Sequence, residues 1–150
     1  MKNQKISNET ISEVVEYLSV QLSKSGVKYD YVIGVGRGGL IPATMLAYKL
    51  HIPVLCYAIS TYDNEEKTNT TIHQEVNFES MCNANILIVD DICDSGYTFE
   101  YIKSQIELVS ANEVQECTFL SIFAKKSSID IPDYIGLVTE QNIWLNFPWE

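Results

Sequence analysis

The thirteen residues Ile86-Leu87-Ile88-Val89-Asp90-Asp91-Ile92-Cys93-Asp94-Ser95-Gly96-Tyr97-Thr98 constrain the fold of this 150-residue chain more than any other stretch. Four consecutive aliphatics, Ile86 to Val89, predict a strand covered on both faces, as in a parallel sheet between helical layers. Asp90 and Asp91 cannot both follow them into that interior, because an unpaired buried charge is very costly. The pair is therefore expected at the C-terminal edge of the strand, facing a ligand. In the next residues Gly96 lets the backbone turn tightly, Ser95 and Thr98 supply hydroxyls, and a helix is predicted from about Phe99. Free backbone N–H groups and the positive end of a helix dipole make such a turn an anion site. Two acids beside an anion hole suit a ligand that carries both a phosphate and a diol or a metal, and a phosphorylated ribose has that chemistry.

The segment closely resembles the phosphoribosyl-diphosphate (PRPP) signature of the type I phosphoribosyltransferases, in which a strand ending in two acids runs into an acid-small-Gly-x-Thr loop. The resemblance implies that Asp90 and Asp91 hold the ribose 2′ and 3′ hydroxyls and help to organise Mg²⁺. It also implies that Asp94, Ser95, Gly96, Tyr97 and Thr98 hold the 5′-phosphate. Cys93 departs from the pattern, where an aliphatic is more usual.

The chain's length and its 46% hydrophobic content suit a single domain, residues 1–150. A formal net charge of −10 with ten basic residues argues against binding to nucleic acid or to an anionic membrane surface, both of which rely on a positive field. An anionic substrate must then be met by local devices: glycine loops, helix N-termini, a few placed cations and a divalent metal. Cys56, Cys82, Cys93 and Cys117 show no Cys-x-x-Cys pairing and the start Met1-Lys2-Asn3-Gln4 lacks an apolar signal region, so a cytoplasmic location is expected. No apolar run approaches the length of a membrane span.

Ile11, Val14, Val15, Leu18 and Leu22 recur at helical spacing after Ser7 or Asn8, predicting a first helix that ends before Gly26. A strand at Tyr31–Ile33, a helix from about Leu40 to Leu50 and a strand from Pro53 to Ile59 form a strand-helix-strand unit, hence parallel pairing. Residues 60–74 are polar without either periodicity and are expected to form an exposed excursion, with a short strand returning at Glu75–Phe78. Further elements are a helix from about Phe99 to Val109 and strands at about Glu116–Phe123 and Tyr134–Thr139. The fold class is α/β: a twisted, mainly parallel sheet flanked by helices, with a small C-terminal hood and a flexible loop.

Arg37 is the chain's one arginine, and it lies in Gly34-Val35-Gly36-Arg37-Gly38-Gly39 between a strand and a helix. Flanking glycines let the backbone approach a ligand and the helix start supplies N–H groups, so this loop is suited to a second phosphate group. The letters also satisfy the Gly-x-Gly-x-x-Gly fingerprint of dinucleotide-binding folds, with Asp63 as the nearest candidate for the ribose acid. That acid belongs at the end of the second strand, whereas Asp63 is expected beyond it, and a dinucleotide gives the doubled aspartate no task. The run from Arg37 through Gly38-Gly39-Leu40-Ile41-Pro42 resembles the pyrophosphate loop of purine phosphoribosyltransferases instead.

Phe123-Ala124-Lys125 places an ammonium at the end of a strand, and Trp144 lies in the aromatic tail. Both resemble the xanthine-guanine branch of the family. There the lysine of Phe-Ala-Lys contacts the purine 6-oxo group and a tryptophan in a hood stacks on the ring. Carried over, Lys125 selects a 6-oxopurine, since an ammonium donates to a carbonyl oxygen but not to an exocyclic amine, and Trp144 supplies the stacking face. Backbone groups at Leu145 and Asn146 are candidates for the 2-position. Ser60-Thr61-Tyr62-Asp63 resembles the entry to that branch's flexible loop, where Lys67 is the candidate for reaching pyrophosphate, although it lacks the arginine fork. His51 and His73 have no partner at metal-ligand spacing and read as structural or surface residues.

The resemblance implies transfer of ribose 5-phosphate from PRPP to N9 of guanine, xanthine or hypoxanthine, with Asp94 as general base at N7 and a homodimer or homotetramer as the assembly. The alternatives are a PRPP- or nucleotide-binding regulator of the same fold and a phosphoribosyltransferase for a different base.

Overall fold

The computed structural model describes residues 1–64, 67–81, 83–109 and 114–150, and the side chains of all of these except 62–64, 67–68 and 114–115. The elements run β1 (Lys2–Lys5), α1 (Asn8–Lys24), β2 (Tyr31–Val35), α2 (Leu40–Leu50), β3 (Val54–Asn64), β4 (Lys67–Gln74), β5 (Ala84–Cys93), α3 (Tyr97–Val109), β6 (Val114–Lys125), β7 (Tyr134–Thr139) and β8 (Ile143–Asn146). Short 3₁₀ turns occupy Phe78–Ser80 and Lys126–Ser128.

Six strands form one sheet in the order β4-β3-β2-β5-β6-β7, parallel throughout except for the antiparallel β3–β4 pair. Central β5 explains why its sequence is continuously aliphatic. Leu87 and Val89 enter the core shared with α1 and α2, Ile86 and Ile88 enter the core shared with α3, and none of the four is accessible to solvent. Helix α1 begins where a polar side chain can satisfy its first amides: Ser7 Oγ accepts from the Thr10 N–H at 3.0 Å.

Chain direction within the sheet sets the position of the site. From β2 the chain crosses through α2 to β3 on one side, and from β5 it crosses through α3 to β6 on the other. The loops after β2 and β5 therefore diverge at a switch point, where parallel sheets of this type open a crevice at the carboxyl ends of their strands.

Two expectations need correction. Within 60–74, expected as an exposed excursion without strand periodicity, β3 continues to Asn64, β4 begins at Lys67, and the two pair from Ala58/Gln74 to Asn64/Lys67. Glu75–Phe78 does not return as a strand, and a 3₁₀ turn starts at Phe78 instead. The N-terminal residues carry no strand periodicity, yet Lys2–Lys5 pair in parallel with Ile143–Asn146 as a separate two-stranded sheet, which forms the hood. Among the described residues, Cys56, Cys93 and Cys117 are free thiols. No described helix is long and apolar enough to cross a membrane.

Candidate functional site

Strand β2 pairs with β5 only as far as Gly34 opposite Val89, so Asp90 is the first residue of β5 to clear its neighbour on that side. On the other side β5 stays paired with β6 to Cys93. The two acids thus sit in a ladder that is open along one edge. Backbone amides fold onto them: Asp91 N–H donates to Asp90 Oδ1 at 2.9 Å and Ile92 N–H to Asp91 Oδ1 at 2.8 Å. The acids diverge beyond that. Asp90 faces the crevice, whereas the Asp91 carboxylate turns under the β2–α2 loop and packs against Gly38.

Burial pushes the carboxyl groups of both up, and Asp90 goes well above the usual carboxylate range because the charge of Asp91 adds to it. Glu150 adds a smaller upward push on Asp91. Among the described residues neither acid has an ion-pair partner. A pair of carboxylates that resists holding two charges, with no cation beside it, suits a hard divalent cation such as Mg²⁺. Among the described residues no cluster of three or more metal-ligating side chains exists, so remaining oxygens would come from substrate and water.

Two adjoining cavities open around Asp90. One, of about 720 Å³, is lined by Gly36, Arg37, Gly38, Ser60, His73 and Asp90 among others. Arg37 is exposed at the mouth of helix α2, whose N-terminal Gly39 donates back to Val35 O at 3.1 Å. The other, of about 700 Å³, is lined by Asp90, Asp94, Ser95, Thr98, Gln141 and Trp144 among others. Thr61 and Thr98 line both, and their hydroxyls are 3.2 Å apart.

The second cavity is shaped by the turn after β5. Gly96 adopts φ +82, a left-handed conformation in which a Cβ would also collide with Ile131, and helix α3 starts at Tyr97, two residues earlier than expected. Tyr97 N–H donates to Ser95 Oγ at 3.3 Å. Asp94 is exposed, and its Oδ1 accepts from Gln141 Nε2 at 3.4 Å; Gln141 Oε1 in turn accepts from Ser127 Oγ at 2.8 Å.

Hood residues separate by strand alternation. Trp144 is half-exposed and lines the second cavity, while the next side chain, Leu145, is buried in the core with Phe147. Lys125 is buried at the end of β6 and its ammonium donates to the backbone carbonyls of Glu140 (3.2 Å) and Ile143. It lines neither cavity. The side chain of Lys67, which opens β4, lies outside the described residues, as does that of Asp63. The backbone places Asp63 within β3 rather than beyond it, so strand position alone does not dismiss a dinucleotide.

Two further residues at the site, His73 and Gln141, belong to no motif in the sequence. His73 lines the first cavity, and its Nε2 is 3.2 Å from Ser60 Oγ. Gln141 lines the second beside Trp144. A polar residue three positions before the hood tryptophan was the available hint for Gln141; for His73 there was none in the local sequence.

The phosphoribosyl transferase domain model matches residues 6–150. A xanthine-guanine phosphoribosyltransferase from Idiomarina loihiensis is 29% identical over 125 residues, 82% of this chain and 72% of that protein. Another, from Nitratidesulfovibrio vulgaris, is 27% identical over 143 residues, 95% of this chain and 81% of that protein. Among solved structures, a purine phosphoribosyltransferase from Pyrococcus horikoshii has a TM-score of 0.85 at 27% identity, covering 100% of this chain and 95% of that one. The matched residues 6–150 contain the acid pair, the glycine loops after β2 and β5, and β8 of the hood, and the chain belongs to the phosphoribosyl transferase domain family.

Proposed function

We propose that the protein transfers ribose 5-phosphate from PRPP to N9 of a 6-oxopurine, giving the nucleoside monophosphate and pyrophosphate. The observation that carries this reading is the position of Asp90, which borders both cavities. A ribose held there by its hydroxyls has the Arg37 loop on one side and the Asp94–Thr98 turn on the other. The first supplies donors to a departing pyrophosphate; the second supplies amides and hydroxyls to a 5′-phosphate.

Asp90 and Asp91 are the residues that would hold Mg²⁺, which when bound supplies positive charge to the leaving pyrophosphate. The chain's own groups do the rest. Arg37 and the amides at the start of α2 bind the leaving group, and Lys67 is assigned to the same task. Ser95, Gly96, Tyr97 and Thr98 anchor the phosphate. Asp94 takes the purine N7 proton as general base, within reach of the Gln141 amide that orients it.

Trp144 stacks on the purine, which its place on the second cavity supports. Lys125 is assigned to the purine 6-oxo group by the resemblance of Phe123-Ala124-Lys125; two of its three donors go to the hood carbonyls and it lines neither cavity, so the contact requires its ammonium to turn toward the base. Backbone groups at Leu145 and Asn146 meet the 2-position. Names of relatives favour guanine and xanthine as acceptors. The working protein is read as one cytoplasmic domain, in keeping with its free thiols. A homodimer or homotetramer would cover exposed apolar side chains such as Tyr17 and Val20 of α1 and Leu108 of α3.

A pyrophosphate-release assay with PRPP and Mg²⁺ against guanine, xanthine, hypoxanthine, adenine and uracil tests the reading. Turnover with at least one 6-oxopurine and little with adenine is expected. Release with none of the five bases, or with uracil alone, overturns it.

A further inference from the structure

The ladder between β3 and β4 loses its register at one place. On one side of it Ser60 faces Thr71 and Ile59 faces Ile72; on the other Ala58 faces Gln74. Two residues of β4 span the single step from Ile59 to Ala58, and His73 is the residue left without a strand partner. An extra residue of this kind bends its strand and re-aims a side chain, and such bulges are over-represented beside active sites. At this bulge the imidazole meets Ser60 Oγ and lines the cavity that Gly36, Arg37 and Gly38 also border.

We propose that His73 is a diphosphate-binding residue that donates a hydrogen bond to the pyrophosphate of PRPP from the β4 bulge. The assignment rests on the phosphoribosyl-transfer reading above. Charge makes the case for it. The chain has a net charge of −10 and one arginine, and Asp90 adds a carboxylate to the wall of this cavity. Among the described residues lining the cavity, only Arg37 and His73 have side chains able to carry positive charge. A diphosphate is the most highly charged part of the substrate, so the cavity that receives it needs every donor its walls can offer.

Ring chemistry is compatible with the task. When Ser60 donates to Nε2 the hydrogen of the neutral ring sits on Nδ1; when the ring is charged both nitrogens donate and Ser60 accepts. In each of these states Nδ1–H remains for a ligand, and an anion favours both over the tautomer in which Nδ1 is bare. Ser60 then serves as the orienting partner. A histidine that only stitched the hairpin would be mimicked by Ser60→Ala, which removes the same contact and leaves the ring in place.

Titration calorimetry with inorganic pyrophosphate and with ribose 5-phosphate, each with MgCl₂, tests the proposal on the full-length protein. His73→Ala is expected to weaken pyrophosphate binding roughly tenfold, the loss of one charge-assisted hydrogen bond at an open site, and to leave ribose 5-phosphate binding unchanged. His73→Asn, which keeps a donor nitrogen near the Nδ1 position, should restore most of the affinity. Unchanged pyrophosphate binding in His73→Ala overturns the proposal, and so does parallel loss of both ligands or an equal loss of pyrophosphate affinity in Ser60→Ala, either of which would mark His73 as a hairpin residue. Wild-type protein that binds neither pyrophosphate nor ribose 5-phosphate overturns the functional reading and this assignment with it.

Discussion

The carboxylate of Asp91 fills the space that a side chain at position 38 would need. A Cβ on Gly38 would collide with Oδ2, so the loop that carries Arg37 and the strand that carries the acid pair fit together only if residue 38 is glycine. This contact links the cavity that Arg37 borders to the acid pair of β5. Gly38→Ala must displace either the loop or the carboxylate, and a misplacement near 1 Å costs about a hundredfold in rate. Steady-state kinetics should show kcat/KM for PRPP falling roughly that far, with the melting temperature little changed. A variant with wild-type kcat/KM would show that the loop and the acid move independently.

Asp94 and Gln141 make the corresponding contact across the second cavity. General base catalysis contributes roughly 10²- to 10⁴-fold, so Asp94→Asn should lower kcat by at least about a hundredfold while PRPP binding changes little. Equal losses in both would assign Asp94 to binding. Gln141 acts on Asp94 through one long, exposed hydrogen bond worth about 0.5–1 kcal/mol. Gln141→Ala should therefore lower kcat only about two- to fivefold, and in the Asp94→Asn background it should lower it no further. Additive effects in the double variant would mean that Gln141 works on something else.

Burial pushes the Cys93 thiol up to about 11 from an ordinary 9.0, against the opposing hydrogen bond from Ser128. Its folded form thus resists ionisation more than its unfolded form. The stabilisation is present below about pH 9 and lost as the pH rises toward 11. Denaturant unfolding should show a decline in stability between pH 9 and 11 that Cys93→Ala reduces but does not abolish, because burial also pushes the Cys117 thiol up, to about 12. Iodoacetamide at pH 8 should leave Cys93 unlabelled in the native protein; labelling there at the rate of the unfolded chain would contradict the burial.

The parts of the fold visible in sequence are those whose residues face one constant environment. Ile86 to Val89 meet core on both faces, and α1 presents one apolar stripe, so each writes its period plainly. Strand β1 could not be seen because Lys2, Asn3, Gln4 and Lys5 are all exposed and become a strand only by pairing with the far end of the chain. Edge strand β4 is likewise polar along most of its length, and nothing local distinguishes it from a loop. His73 illustrates the limit at the site: its position comes from a register shift between two strands, a property of the pair. The doubled aspartate was legible as a pair, but the division of labour between Asp90 and Asp91 depends on a glycine some fifty residues away.

Lys125 ends strand β6, and the structure buries its ammonium with two hood carbonyls as partners. Holding the hood and choosing the base are separable roles. Lys125→Met removes both donors and leaves the carbonyls of Glu140 and Ile143 without them, at a cost of about 1–3 kcal/mol, or a fall in Tm of roughly 2–10 °C for a domain of this size. Lys125→Arg keeps a cation but changes its shape, and should retain more of the stability than of the base preference. If Lys125 also donates to the purine 6-oxo group, Lys125→Met should narrow the ratio of kcat/KM for guanine over adenine by about tenfold or more. If the lysine serves the hood alone, Tm falls and that ratio stays where it was.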